Sequence, residues 1–264
     1  MPALAIFGIT GRMGQSLVRA LRETPAFTLS GAIASARSDR LGQDAAGEGA
    51  PTGVLITSDP VSGVRGASVA LDFSSSSGVA AHAHACVAAG VPILIGATGL
   101  EAAVRAELTQ AAKSIPVLIA PNTSVGVSVV AELVSMAALR LGPAYDVEIV
   151  EAHHRTKRDA PSGTALALGQ AVAGARGRDL EAVAIYDRAG QGAPRAAGSI
   201  GFSSLRAGDI VGEHTVIFAA AGERVEIIHR ATDRITFARG ALRAAEWLIG
   251  RPAGLYGMQN VLGL

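Results

Sequence analysis

The sequence predicts an α/β fold: a Rossmann-type doubly wound parallel sheet, then a second α+β domain built on a mixed or antiparallel sheet. Three observations predict it. Short apolar runs alternate with helical patterns through the first half, and each run stops at a turn rich in Gly, Ser, Pro or Asn. The first run feeds straight into a glycine-rich turn and then a helix. Past Gly142-Pro143 the texture changes to short alternating runs parted by glycine-containing turns. The expected domains are 1–124, with 235–264 packing back on it, and 125–234.

Leu4 to Phe7 is the first strand, and Gly8-Ile9-Thr10-Gly11-Arg12-Met13-Gly14 follows it. A helix then sets Leu17, Val18 and Leu21 on one face. Glycine permits a tight turn and lets the backbone approach a pyrophosphate, whose charge a helix N-terminus favours. The spacing is Gly-x-x-Gly-x-x-Gly rather than the commoner Gly-x-Gly-x-x-Gly. A plain glycine-rich turn is the alternative, but a strand on either side favours a dinucleotide. The second strand, Phe27 to Ala34, ends without the carboxylate that often binds the ribose hydroxyls of NAD. Ser35 and Arg37 stand there instead, with Arg40 close behind. They suit a 2′-phosphate and favour NADPH over NADH. The opposing reading, that both arginines are merely solvated, stays open.

Leu41 to Thr52 reads as loop and Val54 to Thr57 as a short strand. Val69 to Phe73 is a fuller strand, and Ser74 to Gly78 leads into a helix carrying His82 and His84. Two residues apart, these histidines face different sides, which fits packing better than a metal site. Val91 to Ile95 and Val117 to Ala120 are further strands, separated by a helix from about Glu101 to Lys113. In an open parallel sheet the ligand lies beyond the carboxyl ends of the strands. Gly96-Ala97-Thr98 and Ala120-Pro121-Asn122-Thr123 occupy such ends. With Gly8 to Met13 for the pyrophosphate, they are expected to line the ribose and nicotinamide.

A Val/Ala/Leu helix from about Gly126 to Leu141 is stopped by Gly142-Pro143. Tyr145 to Ala152 is a strand, and Thr164 to about Ala175 a helix. Ala182 to Asp187 reads as a strand, Arg188 to Ala197 as a polar loop. Ile200–Leu205, Ile210-Val211, Glu213–Ala220 and Val225–His229 are short runs of a second sheet. Phe237 to Ile249 is again a helix, followed by a short mixed tail.

Between that strand and helix stand His153, His154, Arg155, Lys157 and Arg158, and then Pro161-Ser162-Gly163-Thr164. Ser162 reads as a helix N-cap, and the helix start it caps suits a carboxylate. The lysine and arginines add positive field. The two imidazoles are the groups able to exchange protons near neutral pH, and at a strand end they point to opposite faces. A metal site would want a third ligand at known spacing, and none is evident, so no metal is expected.

Bulk properties exclude other classes. With 264 residues, 49% hydrophobic and 17% charged, the chain can bury a large core. A net charge of +1 offers no field for nucleic acid. The single cysteine, Cys86, fits a reducing compartment. The N-terminus reads as a first strand rather than a leader, and no apolar run is taken to reach membrane-spanning length, so the cytoplasm is expected and a membrane is not.

The segment Glu151-Ala-His-His-Arg-Thr-Lys-Arg-Asp-Ala-Pro-Ser-Gly-Thr-Ala165 resembles the signature of the 4-hydroxy-tetrahydrodipicolinate (dihydrodipicolinate) reductase family. Gly8 to Gly14, Gly96 to Gly99, Ala120 to Gly126 and Ser199 to His214 resemble the same family, in one order along the whole chain. The resemblance implies NAD(P)H-dependent formation of tetrahydrodipicolinate with loss of water, on the diaminopimelate route to lysine. It implies His153 as proton donor/acceptor, Lys157 as proton donor, and His154, Gly163 and Thr164 as contacts to a cyclic dicarboxylate. A lysine beside anions is a secure cation and a poor base, so the division of work between His153 and Lys157 stays open. The family is commonly a homotetramer assembled through its second domain. Ser35 and Thr123 depart from it, since many relatives carry an acidic residue and a Phe or Met at those places. Another imine reductase and a non-catalytic NADPH-binding regulator are the alternatives, the second disfavoured by the joint presence of His153, Lys157 and Ser162-Gly163-Thr164.

Overall fold

The computed structural model describes residues 1–190 and 192–264, so Gln191, in the loop expected over Arg188–Ala197, lies outside the described residues. In chain order the first elements are β1 (Ala3–Phe7), α1 (Arg12–Glu23), β2 (Thr28–Ile33), β3 (Ile56–Thr57), α2 (Pro60–Val64) and β4 (Val69–Asp72). Next come α3 (Val79–Ala89), β5 (Ile93–Ile95), α4 (Ala102–Ala111), β6 (Pro116–Ile119) and α5 (Val125–Leu141). Then follow β7 (Asp146–His153), α6 (Gly163–Ala175), α7 (Leu180–Val183), β8 (Ala184–Ile185), β9 (Ile200–Arg206), β10 (Gly212–Ala220) and β11 (Glu223–Ala231). The chain ends in α8 (Ile235–Leu248), β12 (Gly254–Tyr256) and α9 (Met258–Leu262). Two compact units result, Met1–Val125 with Arg234–Leu264, and Gly126–Asp233.

The first unit holds a seven-stranded sheet in the order β12-β6-β5-β4-β1-β2-β3, parallel at every pairing. It is apolar on both faces because strand side chains alternate and helices cover both sides. Leu4 and Ile6 of β1 pack with Leu17 of α1 and Ala241 and Leu248 of α8. Ala5 and Phe7 point the other way, into Ala83 and Cys86 of α3 and Leu108 of α4. That is the doubly wound arrangement the alternating runs predict.

The second unit holds a five-stranded mixed sheet, β11-β10-β7-β9-β8. β10 runs antiparallel to β7 and β11, while β9 runs parallel to β7 and β8. One face is covered: Val147, Ile149, Val216 and Phe218 pack with Val134 of α5 and Leu168 and Val172 of α6. On the other, Leu205 and Ile228 remain exposed.

Several elements differ from expectation. Ala182–Asp187 is a two-residue strand preceded by α7, because Asp179 accepts a hydrogen bond from Glu181 N and starts a helical turn. Ile210-Val211 is not a strand; it completes the loop between β9 and β10. The strand expected over Val54–Thr57 shrinks to Ile56–Thr57. α2, β12 and α9 are additional, and β12 extends the first sheet by pairing with β6. The stretch Val125–Ala144 is helical, long and apolar enough to cross a membrane by length and composition, contrary to the expectation that no run reaches this. It tolerates Glu132 and Arg140 within that length, which is why run-counting overlooks it. Its Val130, Val134 and Ala138 belong to the core of the second unit.

Candidate active site

In the first unit the predicted nucleotide residues collect at the carboxyl edge of the sheet. Parallel strands place all their C-terminal ends on one edge, and backbone bonds lock those ends in step. Gly8 N and Ile9 N donate to Ile33 O at 2.9 and 3.1 Å, Gly96 N to Asp72 O at 2.8 Å, and Ala120 N to Ile95 O at 2.9 Å. Gly8 has φ +76° and passes so close to β4 that a Cβ would lie 2.8 Å from Phe73 O. A Cβ on Gly14 would lie 2.5 Å from both Gly8 O and Ile9 O. Gly11 is the N-cap of α1 and no side chain caps it, so the helix presents backbone N–H groups beside exposed Arg12. This is a cradle in which backbone replaces side chains, and it fits a pyrophosphate.

The cradle is braced from behind. Gln15 Nε2 donates to Ile9 O at 2.8 Å and to Ala45 O at 3.2 Å, which ties the loop after β2 to the turn. Ser35 Oγ accepts from Arg37 N at 3.3 Å, and the Arg37 side chain is exposed. Arg40 differs, since its Nη2 donates to Asp44 O at 3.0 Å. Of the two arginines, Arg37 is therefore the one presented at the strand end. Ala97 is buried, while Thr98 and Pro121 are exposed. Thr123 is 2% exposed, and its hydroxyl donates to Phe237 O at 2.7 Å. Asn122 Oδ1 accepts from Ser124 N at 2.9 Å.

His82 and His84 separate as their spacing predicts. His82 stacks on Phe7 at 4.2 Å and bonds Asp72 at 2.8 Å; His84 bonds Glu107 at 3.0 Å. Burial, with Asp72 adding to it, pushes the Cys86 thiol well up, so it packs as a small apolar group.

The second unit gathers His153 and the start of α6 around a residue that motif reading passes over. Glu151 and His153 lie on the covered face of β7, and Glu151 is 1% exposed. Glu151 Oε2 bonds His153 Nδ1 at 2.6 Å and Arg206 Nη1 at 2.8 Å. Oε1 accepts from Arg206 Nη2 at 2.7 Å and from Ser162 N at 3.1 Å. Burial alone would raise the Glu151 carboxyl, but the bonds from Arg206 and His153 outweigh it and hold it down to about 2. The carboxylate is therefore ionised and can only accept. Nδ1 of His153 must carry the proton, and exchange falls to Nε2. Burial lowers His153 itself, against the opposing pull of Glu151.

Ser162 caps α6 by accepting from Ala165 N at 3.1 Å, and shares a 2.9 Å hydrogen bond with His214 Nε2. Burial, then the neighbouring His153, brings His214 down to about 3, so it is neutral under working conditions. Gly163 opens the helix in an exposed position, with open space where a Cβ would be. His154, half-buried, bonds Thr156 Oγ1 through Nδ1 at 2.8 Å. Lys157 Nζ is 2.7 Å from Asp159 Oδ2. Sequence reasoning names His153, His154, Lys157 and the helix start, and misses Glu151, Arg206 and His214. A carboxylate two residues before His153 on a strand shares its face, and that is the signal for Glu151.

The depressed carboxyl has a consequence for stability. A group whose folded pKa lies below its unfolded one contributes fully above the unfolded value, and that contribution is lost as pH falls through the folded one. The Tm is expected to drop as pH falls below about 5. Calorimetry should show a shallower drop in Glu151→Gln, and an unchanged slope would contradict the assignment.

Comparison with known proteins bears on both units. The family model described as "Dihydrodipicolinate reductase, N-terminus" matches residues 3–123, and "Dihydrodipicolinate reductase, C-terminus" matches 126–262. A protein of Thiobacillus denitrificans named 4-hydroxy-tetrahydrodipicolinate reductase is 50% identical over 99% of this chain and 98% of its own. One of the same name from Anaeromyxobacter dehalogenans is 50% identical over 100% and 98%. A solved dipicolinate-bound dihydrodipicolinate reductase from Paenisporosarcina superimposes with a TM-score of 0.76 at 25% identity, covering 98% of this chain and 99% of that one.

Proposed function

The chain belongs to the dihydrodipicolinate reductase family, and from that premise we propose how its residues carry out the reaction. It is an NAD(P)H-dependent oxidoreductase that converts 4-hydroxy-tetrahydrodipicolinate to tetrahydrodipicolinate with loss of water, in diaminopimelate and lysine biosynthesis. The observation that carries the assignment of roles is the Glu151 frame, which puts a proton-exchanging imidazole beside a capped helix start.

Bound NAD(P)H supplies the hydride. Loss of water leaves a ring with a conjugated imine, and addition of hydride leaves an electron pair that a proton must meet. His153 delivers that proton from Nε2. Lys157 is a second proton donor or holds a carboxylate by charge. Gly163, Thr164 and the helix start capped by Ser162 receive a substrate carboxylate, with His154 beside them. Gly8 to Met13 cradle the pyrophosphate, and Gly96 to Thr98 and Ala120 to Thr123 line the ribose and nicotinamide.

NADPH is the preferred cofactor, with Arg37 and Ser35 at its 2′-phosphate. Arg37→Ala is expected to raise the NADPH KM about tenfold, the loss of one charge-assisted contact, and to leave that for NADH unchanged. Steady-state kinetics with both cofactors decide this; equal effects on both would refute it. The enzyme is cytoplasmic and assembles as a homotetramer through the uncovered face of the second sheet, where Leu205 and Ile228 are exposed.

The activity is tested by coupling the protein to the synthase that condenses pyruvate with aspartate semialdehyde, and following NADPH oxidation. No oxidation above a synthase-free control would overturn the reading.

A further inference from the structure

We propose that Glu151 is a positioning residue: one buried carboxylate registers the His153 imidazole against the first turn of α6, with Arg206 as its clamp. The inference rests on the reductase reading for its kinetic consequences, but its geometry stands alone.

The carboxylate accepts four hydrogen bonds from three segments of the chain. β7 supplies His153 Nδ1, β9 supplies both Nη atoms of Arg206, and the segment before α6 supplies Ser162 N. A carboxylate has about four lone-pair sites, so nothing is left over for substrate. Arg206 is fixed in turn, since its Nη2 also donates to Asp159 O at 2.6 Å. A bidentate guanidinium sets the plane of the carboxylate as well as its charge.

The consequence lies in which groups share it. Oε2 takes the Nδ1 proton, so it fixes the tautomer and rotation of the ring that exchanges protons. Oε1 takes the N–H of the residue that caps α6, so it fixes the helix start. The two oxygens are joined through one carbon. The proton-exchanging ring and the anion-binding turn therefore cannot move independently, and a misplacement of about 1 Å between such parts can cost roughly 100-fold in rate.

Other groups facing His153 do not duplicate this. Arg206 approaches from β9 and Lys157 from the following segment, both cationic. His214 on β10 meets the ring edge-on at 5.2 Å, and Gly212 on the same strand leaves room for Nε2, where a Cβ would lie 3.1 Å away. Glu151 is the anion among them.

The test compares full-length wild type, Glu151→Gln and Glu151→Asp. In Glu151→Gln, kcat is expected to fall about 10–100-fold. The alkaline limb of its pH profile is expected to move down by about one unit, because an anion beside the imidazole is lost. The Kd for dipicolinate should rise several-fold and that for NADPH stay as it was. Glu151→Asp, which keeps the charge at a shorter reach, should restore the position of the limb but not the rate. A wild-type rate and pH profile in Glu151→Gln would overturn the proposal. If that variant fails to fold, Arg206→Lys tests the clamp: kcat falls with unchanged NADPH affinity, and wild-type kinetics there would overturn it. Nitrogen-15 spectra of the histidines separate this from the reductase reading. Wild-type His153 should be the Nδ1–H tautomer whether or not turnover is seen, and an Nε2–H tautomer would sink the proposal alone.

Discussion

Replacement of His153 by alanine is expected to lower kcat by about 10²–10⁴-fold, the range for removal of a positioned general acid. NADPH affinity should be unchanged, because the groups that would hold the nucleotide all lie in the first unit, and His153 lies in the second. Wild-type activity should also carry the signature of this residue. A donor must be protonated, so the rate falls as pH rises through the His153 pKa. Burial places that pKa below the usual histidine value, so the fall begins on the acid side of where an exposed histidine would set it. Stopped-flow single turnovers across pH, in wild type and His153→Ala, provide the check. A residual rate in the variant that is flat with pH is the expected result. A variant retaining the wild-type limb would transfer the proton to another group, with Lys157 first in line.

Much of this fold was legible because its signals are local. β1, the glycine turn and α1 follow each other without interruption, and alternation along β1 follows from strand geometry alone. α5, α6 and α8 lie within two residues of where apolar periodicity and breakers put them. What escaped was either short or non-local. β12 is three residues long and becomes a strand only because β6 offers an edge to pair with. α2 is five residues long, although Asp59 before Pro60 is a helix-start signal that composition obscured. The same division holds at the site. His153, Lys157 and Ser162 sit in one segment and can be read from it. Arg206 and His214 reach Glu151 and Ser162 across 55 and 52 residues of sequence, and only strand register brings them there.

Among the glycines of the nucleotide turn, Gly14 has no room for even a single methyl against the backbone packed on it. In Gly14→Ala the new Cβ would meet the Gly8 and Ile9 carbonyl oxygens at 2.5 Å, and both are backbone atoms that cannot rotate away. Either α1 backs off β1 or the turn opens, and overpacking of this kind destabilises by roughly 1–3 kcal/mol. The Tm should fall by several degrees, at about 2–4 °C per kcal/mol for a chain of this size. NADPH binding should be lost with it, since the turn that would cradle the pyrophosphate is the part displaced. Gly11→Ala makes the control. There φ is −77°, and the nearest atom to a Cβ is Gly8 O at 3.2 Å, so the folded chain accepts the methyl with little shift. Its position at the exposed helix cap means that a phosphate bound at the helix start would also meet the methyl. Gly11→Ala is therefore expected to lose less Tm than Gly14→Ala and to raise the NADPH Kd by about tenfold, or roughly 1.4 kcal/mol. Calorimetry and fluorescence titration of the two proteins separate the roles. Equal losses of Tm would mean that the turn is a packing element throughout, and equal NADPH affinities would remove the nucleotide from it.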